Sequence, residues 1–173
     1  MSTRAFLAFL AVCAVIGLLG FGLLSKGEAT IEVGDPAPDR TLPVLGGQGE
    51  GSIADYRGRW VLVNLWASWC DPCREEVPEL DRFARRFRDR DVVVLGIDVQ
   101  DNSEDALAFL DEFGPIYPQL RSVGEERSEA FGSTGVPENF LVDPEGNLAL
   151  IWRGPVDEQF LRERVVPIVR GRR

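Results

Sequence analysis

Histidine is missing from all 173 residues, and methionine occurs once. Without imidazole there is no Ser-His or Cys-His nucleophile pair, no histidine-bearing zinc site and no ordinary haem ligand. Any proton transfer falls to carboxylates or thiols. Basic residues are in short supply too: 19 Lys and Arg face 28 Asp and Glu, a formal net charge of −9. That balance argues against a nucleic-acid partner, whose phosphates call for clustered cations and counterion release. With 45% hydrophobic and 27% charged residues, the chain can bury a core without needing its three cysteines as staples.

Charge is also absent from Ala5 to Leu24, a run of twenty residues between Arg4 and Lys26. As a helix this run covers roughly 30 Å, the thickness of a bilayer's hydrocarbon core. No small-x-small cleavage site follows Leu24, so an uncleaved membrane anchor is expected over a cleaved signal. Arg4 before the span and Glu28, Glu32 and Asp35 after it point the rest of the chain out of the cytoplasm. Leu10-Ala11-Val12-Cys13 has the outline of a lipoprotein box, but Val12 is not small and the apolar run continues, so Cys13 reads as a small apolar residue of the span. The expected organisation is an anchor (or signal) and linker over residues 1–30 and one domain over 31–173.

Beyond the linker, Gly46-Gly47-Gln48-Gly49-Glu50-Gly51 reads as a turn between extended pieces at Thr41 to Leu45 and Ser52 to Ile53, a small β-hairpin extension. Trp60 to Trp66 is a nearly unbroken apolar run, the mark of a strand buried on both faces. Val77, Leu80, Phe83, Ala84 and Phe87 recur at helical spacing over Arg74 to Arg88, with Pro78 placed to kink that helix. A strand is expected over Val92 to Val99, a helix from Ser103 to Phe113 stopped by Gly114-Pro115, and an extended piece at Gln119 to Arg121. A short helix near Glu125 to Phe131 follows, then strands at Asn139 to Val142 and Leu148 to Trp152 joined by the turn Pro144-Glu145-Gly146-Asn147, and a last helix from Asp157 to Val169. The order implies an α/β fold with a mixed central sheet flanked by helices, parallel in its first half and antiparallel in its second.

Chemistry concentrates in Trp69-Cys70-Asp71-Pro72-Cys73. A lone C-x-x-C is half of a zinc site, a chance spacing or a redox pair; no second pair completes a metal site here, and no metal is expected. Cys70 falls where a buried strand meets a helix N-terminus, whose free N–H groups and dipole stabilise a thiolate. Cys73, about one turn on, is more shielded, which casts Cys70 as nucleophile and Cys73 as resolving thiol. Pro72 suits the first helical turn and stiffens the loop. Asp71 suits a helix N-terminus too, yet its carboxylate disfavours a second negative charge on Cys70, which favours the disulfide and hence a reductant. Glu76, three residues after Cys73, lies on the same helical face; it either accepts that thiol's proton or, like Glu75, merely suits a first helical turn.

The run Val63-Asn64-Leu65-Trp66-Ala67-Ser68-Trp69-Cys70-Asp71-Pro72-Cys73-Arg74-Glu75-Glu76-Val77-Pro78, with Gly135-Val136-Pro137-Glu138-Asn139-Phe140-Leu141-Val142-Asp143 later on, resembles the extracytoplasmic thioredoxin-like proteins of the TlpA, ResA and CcmG (DsbE) group. The resemblance covers roughly residues 33 to 170. It implies a thioredoxin-like fold and thiol:disulfide oxidoreductase activity without a cofactor. It implies a cis Pro137 facing the disulfide, with Val136 docking an extended client peptide and Glu138 as a further site residue. It strengthens the acid/base reading of Glu76. Apocytochrome c, or a partner that hands electrons to it, is the implied client, and a membrane thiol donor of the CcdA or DsbD type the implied source of electrons. Asn64 stands where cytoplasmic thioredoxins carry a buried aspartate. Thr134 stands where CcmG-like proteins tend to have a tyrosine. Other readings are a general extracytoplasmic reductase, a non-catalytic peptide-binding module and a peroxiredoxin, the last disfavoured by its different cysteine motif.

Overall fold

Residues 31–88, 92–123 and 131–171, together with Val12, are described by a computed structural model. The apolar span, Val12 apart, and the short helix expected before Phe131 lie outside the described residues. Among the described residues no helix is long and apolar enough to cross a membrane.

A two-stranded antiparallel ribbon, β1 (Leu42–Pro43) with β2 (Glu50–Gly51), pairs Leu42 with Gly51. Its second strand ends sooner than the sequence suggests. Ser52 and Ile53, expected to be extended, open a 3-10 turn over Ile53–Tyr56, because the Asp55 carboxylate takes Ser52 N at 2.8 Å and turns the chain there. The main sheet follows: β3 (Trp60–Trp66), β4 (Val92–Asp98), β5 (Gln119–Arg121), β6 (Glu138–Val142) and β7 (Leu148–Arg153), in the spatial order β5-β4-β3-β6-β7. The β3-β4 and β4-β5 pairs are parallel, and β3-β6 and β6-β7 antiparallel. The mixed sheet thus has the two halves expected of it, and β3, fully buried, is its centre.

Among the described residues three helices flank the sheet. α1 (Asp71–Phe87) begins three residues before the apolar periodicity does, because Cys70 caps it: Cys70 Sγ accepts from Cys73 N at 3.2 Å, and Pro72 in the first turn needs no partner for a missing N–H. α2 (Ser103–Phe113) starts on Asn102, whose side chain accepts from Asp105 N, and stops at Gly114 in the left-handed region, as the sequence indicates. The last helix, α3, is interrupted: Glu158–Phe160 and Val166–Gly171 are α-helical and Leu161–Val165 between them is a π-helical turn.

Strand alternation splits the core into two layers. Trp60, Leu62 and Leu141 meet Leu80, Phe83 and Phe87 of α1 and Leu161 and Val165 of α3 on one face; Val61, Val63, Leu65 and Phe140 meet Ile53 and Phe131 on the other. Each fully buried side chain of this size contributes roughly 1.5–3 kcal/mol. A third cluster joins α1 to α2 beside the cysteines, with Trp66, Cys70, Cys73, Val77, Ala106 and Phe109. Glycine at 96 makes that cluster possible. A Cβ there would stand 1.9 Å from Gln119 Oε1, the atom that accepts the Trp66 indole N–H at 2.9 Å. Trp66, so fixed, stacks on Phe109 with ring centroids 4.4 Å apart.

Candidate active site

β3 carries the chain to the N-terminus of α1, and the two cysteines are joined there as a disulfide, with Cα atoms 5.3 Å apart. Cys70 is 4% exposed and Cys73 1%, so both cysteines of the disulfide are buried. Asp71 and Pro72, between them, are both solvent-exposed. Trp69 is 58% exposed, its indole N–H donating to Gln100 O at 3.1 Å. Arg74 reaches back to Ser68 O at 2.9 Å and stands over the Phe113 ring.

Glu75 and Glu76 separate completely. Glu75 faces solvent, whereas Glu76 is 2% exposed and enclosed by three donors. Its Oε1 accepts from Asn64 Nδ2 at 2.6 Å; its Oε2 accepts from Asn139 Nδ2 at 3.3 Å and from Val156 N at 3.1 Å. Strand register builds this cage, since Asn64 of β3 pairs with Asn139 of β6 and both project toward α1. Asn64 Nδ2 also donates to Asn139 Oδ1 at 3.2 Å. Burial outweighs the three hydrogen bonds and pushes the Glu76 carboxyl up to about 7. A group so poised gains and loses a proton near neutrality, one helical turn from Cys73. Asn64 therefore does not leave the site without a carboxyl: it holds one supplied by the helix.

Val136 and Pro137, distant in sequence, arrive at the same place. The Val136-Pro137 peptide bond is cis, and Val136 packs on the cluster that contains both cysteines. Glu138, 2% exposed, takes Thr134 N at 3.0 Å, Thr134 Oγ1 at 3.1 Å and Arg153 Nη1 at 2.8 Å, all on Oε1. Arg153 Nη1 also donates to Gly132 O at 2.7 Å, so that one guanidinium ties the start of the Pro137 loop to its end. Thr134, which departs from the resemblance, is bonded into this tie. Asn139 and Arg153 are site residues that sequence reasoning missed. Asn139 had a signal: an amide inside the buried run Phe140-Leu141-Val142 requires a partner. Arg153 had none, because its role depends on the β6-β7 pairing. Among the described residues no cluster of His, Cys, Asp or Glu is arranged to hold a metal ion.

A redox pair at a helix N-terminus, a caged carboxyl behind it and a cis-proline loop against it make a thiol:disulfide exchange site on a thioredoxin-like sheet. The AhpC/TSA family profile matches residues 33–151.

The chain belongs to the AhpC/TSA family.

Within that family its relatives include the thiol:disulfide interchange protein HelX of Rhodobacter capsulatus, 32% identical over 95% of this chain and 96% of that protein. The thiol:disulfide interchange protein DsbE of Allochromatium vinosum is 36% identical over 93% and 88%. Among solved structures, a thiol:disulfide interchange protein of the thioredoxin family from Chlorobium tepidum superposes with a TM-score of 0.68 at 26% identity, covering 82% of this chain and 98% of that one. The protein is thus a thiol:disulfide oxidoreductase of the DsbE/ResA type, and the reading as a non-catalytic module lapses.

Proposed function

We propose that the protein works as a reductant outside the cytoplasm, keeping the thiols of apocytochrome c, or of a partner that hands electrons to it, reduced for haem attachment. The observation that carries this reading is the setting of Cys73: nearly sealed from solvent, disulfide-bonded to Cys70, and one helical turn from a buried carboxyl. A thiolate in such acidic surroundings is disfavoured, and a disfavoured thiolate makes the disulfide the preferred state and the dithiol a donor of electrons.

In the forward reaction the Cys70 thiolate attacks one sulfur of a client disulfide, and the client's other sulfur leaves as a thiolate. Glu76 accepts the Cys73 proton. The Cys73 thiolate then attacks Cys70 Sγ, forming the intramolecular disulfide and releasing the client's second thiol, so that two electrons pass from protein to client. An extended client lies along the Val136-Pro137 segment, with Glu138 and Arg153 holding the loop. The apolar run Ala5 to Leu24 keeps the domain at the outer face of the cell membrane, where a thiol donor of the CcdA or DsbD type re-reduces the pair.

Trapping tests the client. Cys73→Ala removes the resolving thiol and freezes the mixed disulfide on Cys70, and mass spectrometry of the captured species should return c-type apocytochromes. Their consistent absence would make the protein a general extracytoplasmic reductase. A redox titration returning a potential as oxidising as about −120 mV would overturn the reductant reading itself.

A further inference from the structure

Asp98 and Asp101 have no part in the exchange described above, yet they adjoin the loop that delivers Cys70. Parallel pairing sets Trp66 beside Asp98, and Val99 N donates to Trp66 O at 2.9 Å, so the segments leaving β3 and β4 run side by side. One leads through Ser68 and Trp69 to Cys70; the other leads through Gln100 and Asp101 to α2. Asp101 couples them. Its Oδ2 accepts from Ser68 N at 2.5 Å and its Oδ1 from Ser68 Oγ at 3.0 Å, while Oδ1 also takes Asn102 N at 2.8 Å. Arg121 Nη2 secures Asp101 from β5 by donating to its main-chain oxygen at 2.7 Å. The neighbouring residues repeat the tie, through the Trp69 indole and Gln100 O.

Asp98 is buried beside this clamp at 1% exposure, with Arg121 Nη1 3.6 Å from its Oδ2. Burial, and then the charge of Asp101, push the Asp98 carboxyl up to about 7, with Arg121 pulling the other way. Below neutrality Asp98 therefore keeps its proton.

We propose that Asp101 is a positioning residue for polypeptide clients: through Ser68 it holds the Trp69-Cys70 segment in the pose that an extended client meets. It acts on docking rather than on the reactivity of the sulfur. The exposed Trp69 indole supplies contact area next to the nucleophile, and a loop free to wander would present that area poorly. The proposal rests on disulfide exchange at Cys70 and is independent of which client is served.

Two reagents separate docking from reactivity. Both dithionitrobenzoate and a short extended peptide whose one cysteine carries thionitrobenzoate release the same chromophore when Cys70 attacks, and stopped-flow measurement on the reduced protein gives a second-order rate constant for each. Asp101→Ala should slow the peptide reaction about tenfold relative to the small reagent, the loss expected for two charge-assisted hydrogen bonds that position a loop. Asp101→Asn removes the same charge but keeps an acceptor for Ser68 N, and should restore the ratio of the two rates to within about threefold of wild type. Equal slowing of both reagents, no slowing of either, or equal loss of the ratio in the Ala and Asn variants would each overturn the proposal. The first would mean general damage, the second no role, and the third a role for the charge alone.

Discussion

Replacing Glu76 with glutamine should change how the stability of the oxidised protein depends on pH. Glu76 is 2% exposed, and its carboxyl is moved from its ordinary value of 4.5 to about 7 mainly by burial. A raised carboxyl value means that the folded chain binds the proton more tightly than the unfolded chain. The resulting stabilisation is therefore complete below 4.5 and is lost as pH climbs through about 7. Linkage over the interval from about pH 5 to about pH 8 makes this loss about 2.5 kcal/mol. Glutamine has no such dependence. It brings a constant penalty instead, because its amide group must face Asn64 Nδ2 on one side or Asn139 Nδ2 and Val156 N on the other, all of them donors. The protonated wild-type carboxyl already places one O–H among these donors, so the amide, with two N–H groups to place, costs up to about 1–3 kcal/mol more at any pH. Urea unfolding of both disulfide-bonded proteins at the two pH values gives the difference directly, and titration of Asp98 cancels in it. The variant should be the less stable at low pH, and its deficit should shrink by about 2.5 kcal/mol at high pH. A deficit equal at both pH values would show that Glu76 ionises like an exposed carboxyl, and the cage argument would fall with it.

In the same variant, the release of a client from the mixed disulfide should lose its inflection near pH 7, as followed by quenched-flow and gel electrophoresis; an unchanged profile would remove Glu76 as the acceptor of the Cys73 proton. Asn64→Asp sets a second carboxyl against Glu76 in place of an amide donor 2.6 Å away. The pair should then share one proton, and stability should fall more steeply above neutrality than in wild type, whereas a parallel urea profile would contradict it. Gly96→Ala forces Gln119 off Trp66, a loss of about 1–3 kcal/mol in urea, and a neutral result would mean that Gln119 has another place to go. Leu80→Ala, at a fully buried position under the sheet, should cost about 2–5 kcal/mol; a loss below 1 kcal/mol would place α1 less firmly on the sheet than its packing indicates.

Local pattern carried much of this architecture. The β3 run, the Ser103–Phe113 helix with its Gly114 stop, and the hairpin turn at Pro144 to Asn147 have the bounds that periodicity and turn residues indicate, because each is governed by neighbours within a few positions. The first turn of α1 escaped the periodicity because Asp71 and Pro72 have no buried face to repeat. The Ser52 corner escaped it because a single carboxylate contact ends the strand there. The cysteine pair was legible as chemistry, and the absence of histidine narrowed that chemistry to thiols and carboxylates.

Spacing and resemblance picked Glu76 out, but how strongly a carboxyl holds its proton was a tertiary question. Glu75 and Glu76 are adjacent and alike in sequence, but a 100° step around the helix sends one to solvent and the other into a cage whose walls come from β3, β6 and the segment before α3. Asp101 is one of many acidic residues in the sequence; it becomes a clamp only because parallel pairing of β3 and β4 lays its loop along Ser68. Sequence by itself determined the elements and the reactive sulfurs, since propensity, periodicity and a short motif are properties of near neighbours. Sheet register decided proton affinity and positioning, since burial and hydrogen-bond partners are set by strands far apart in the chain.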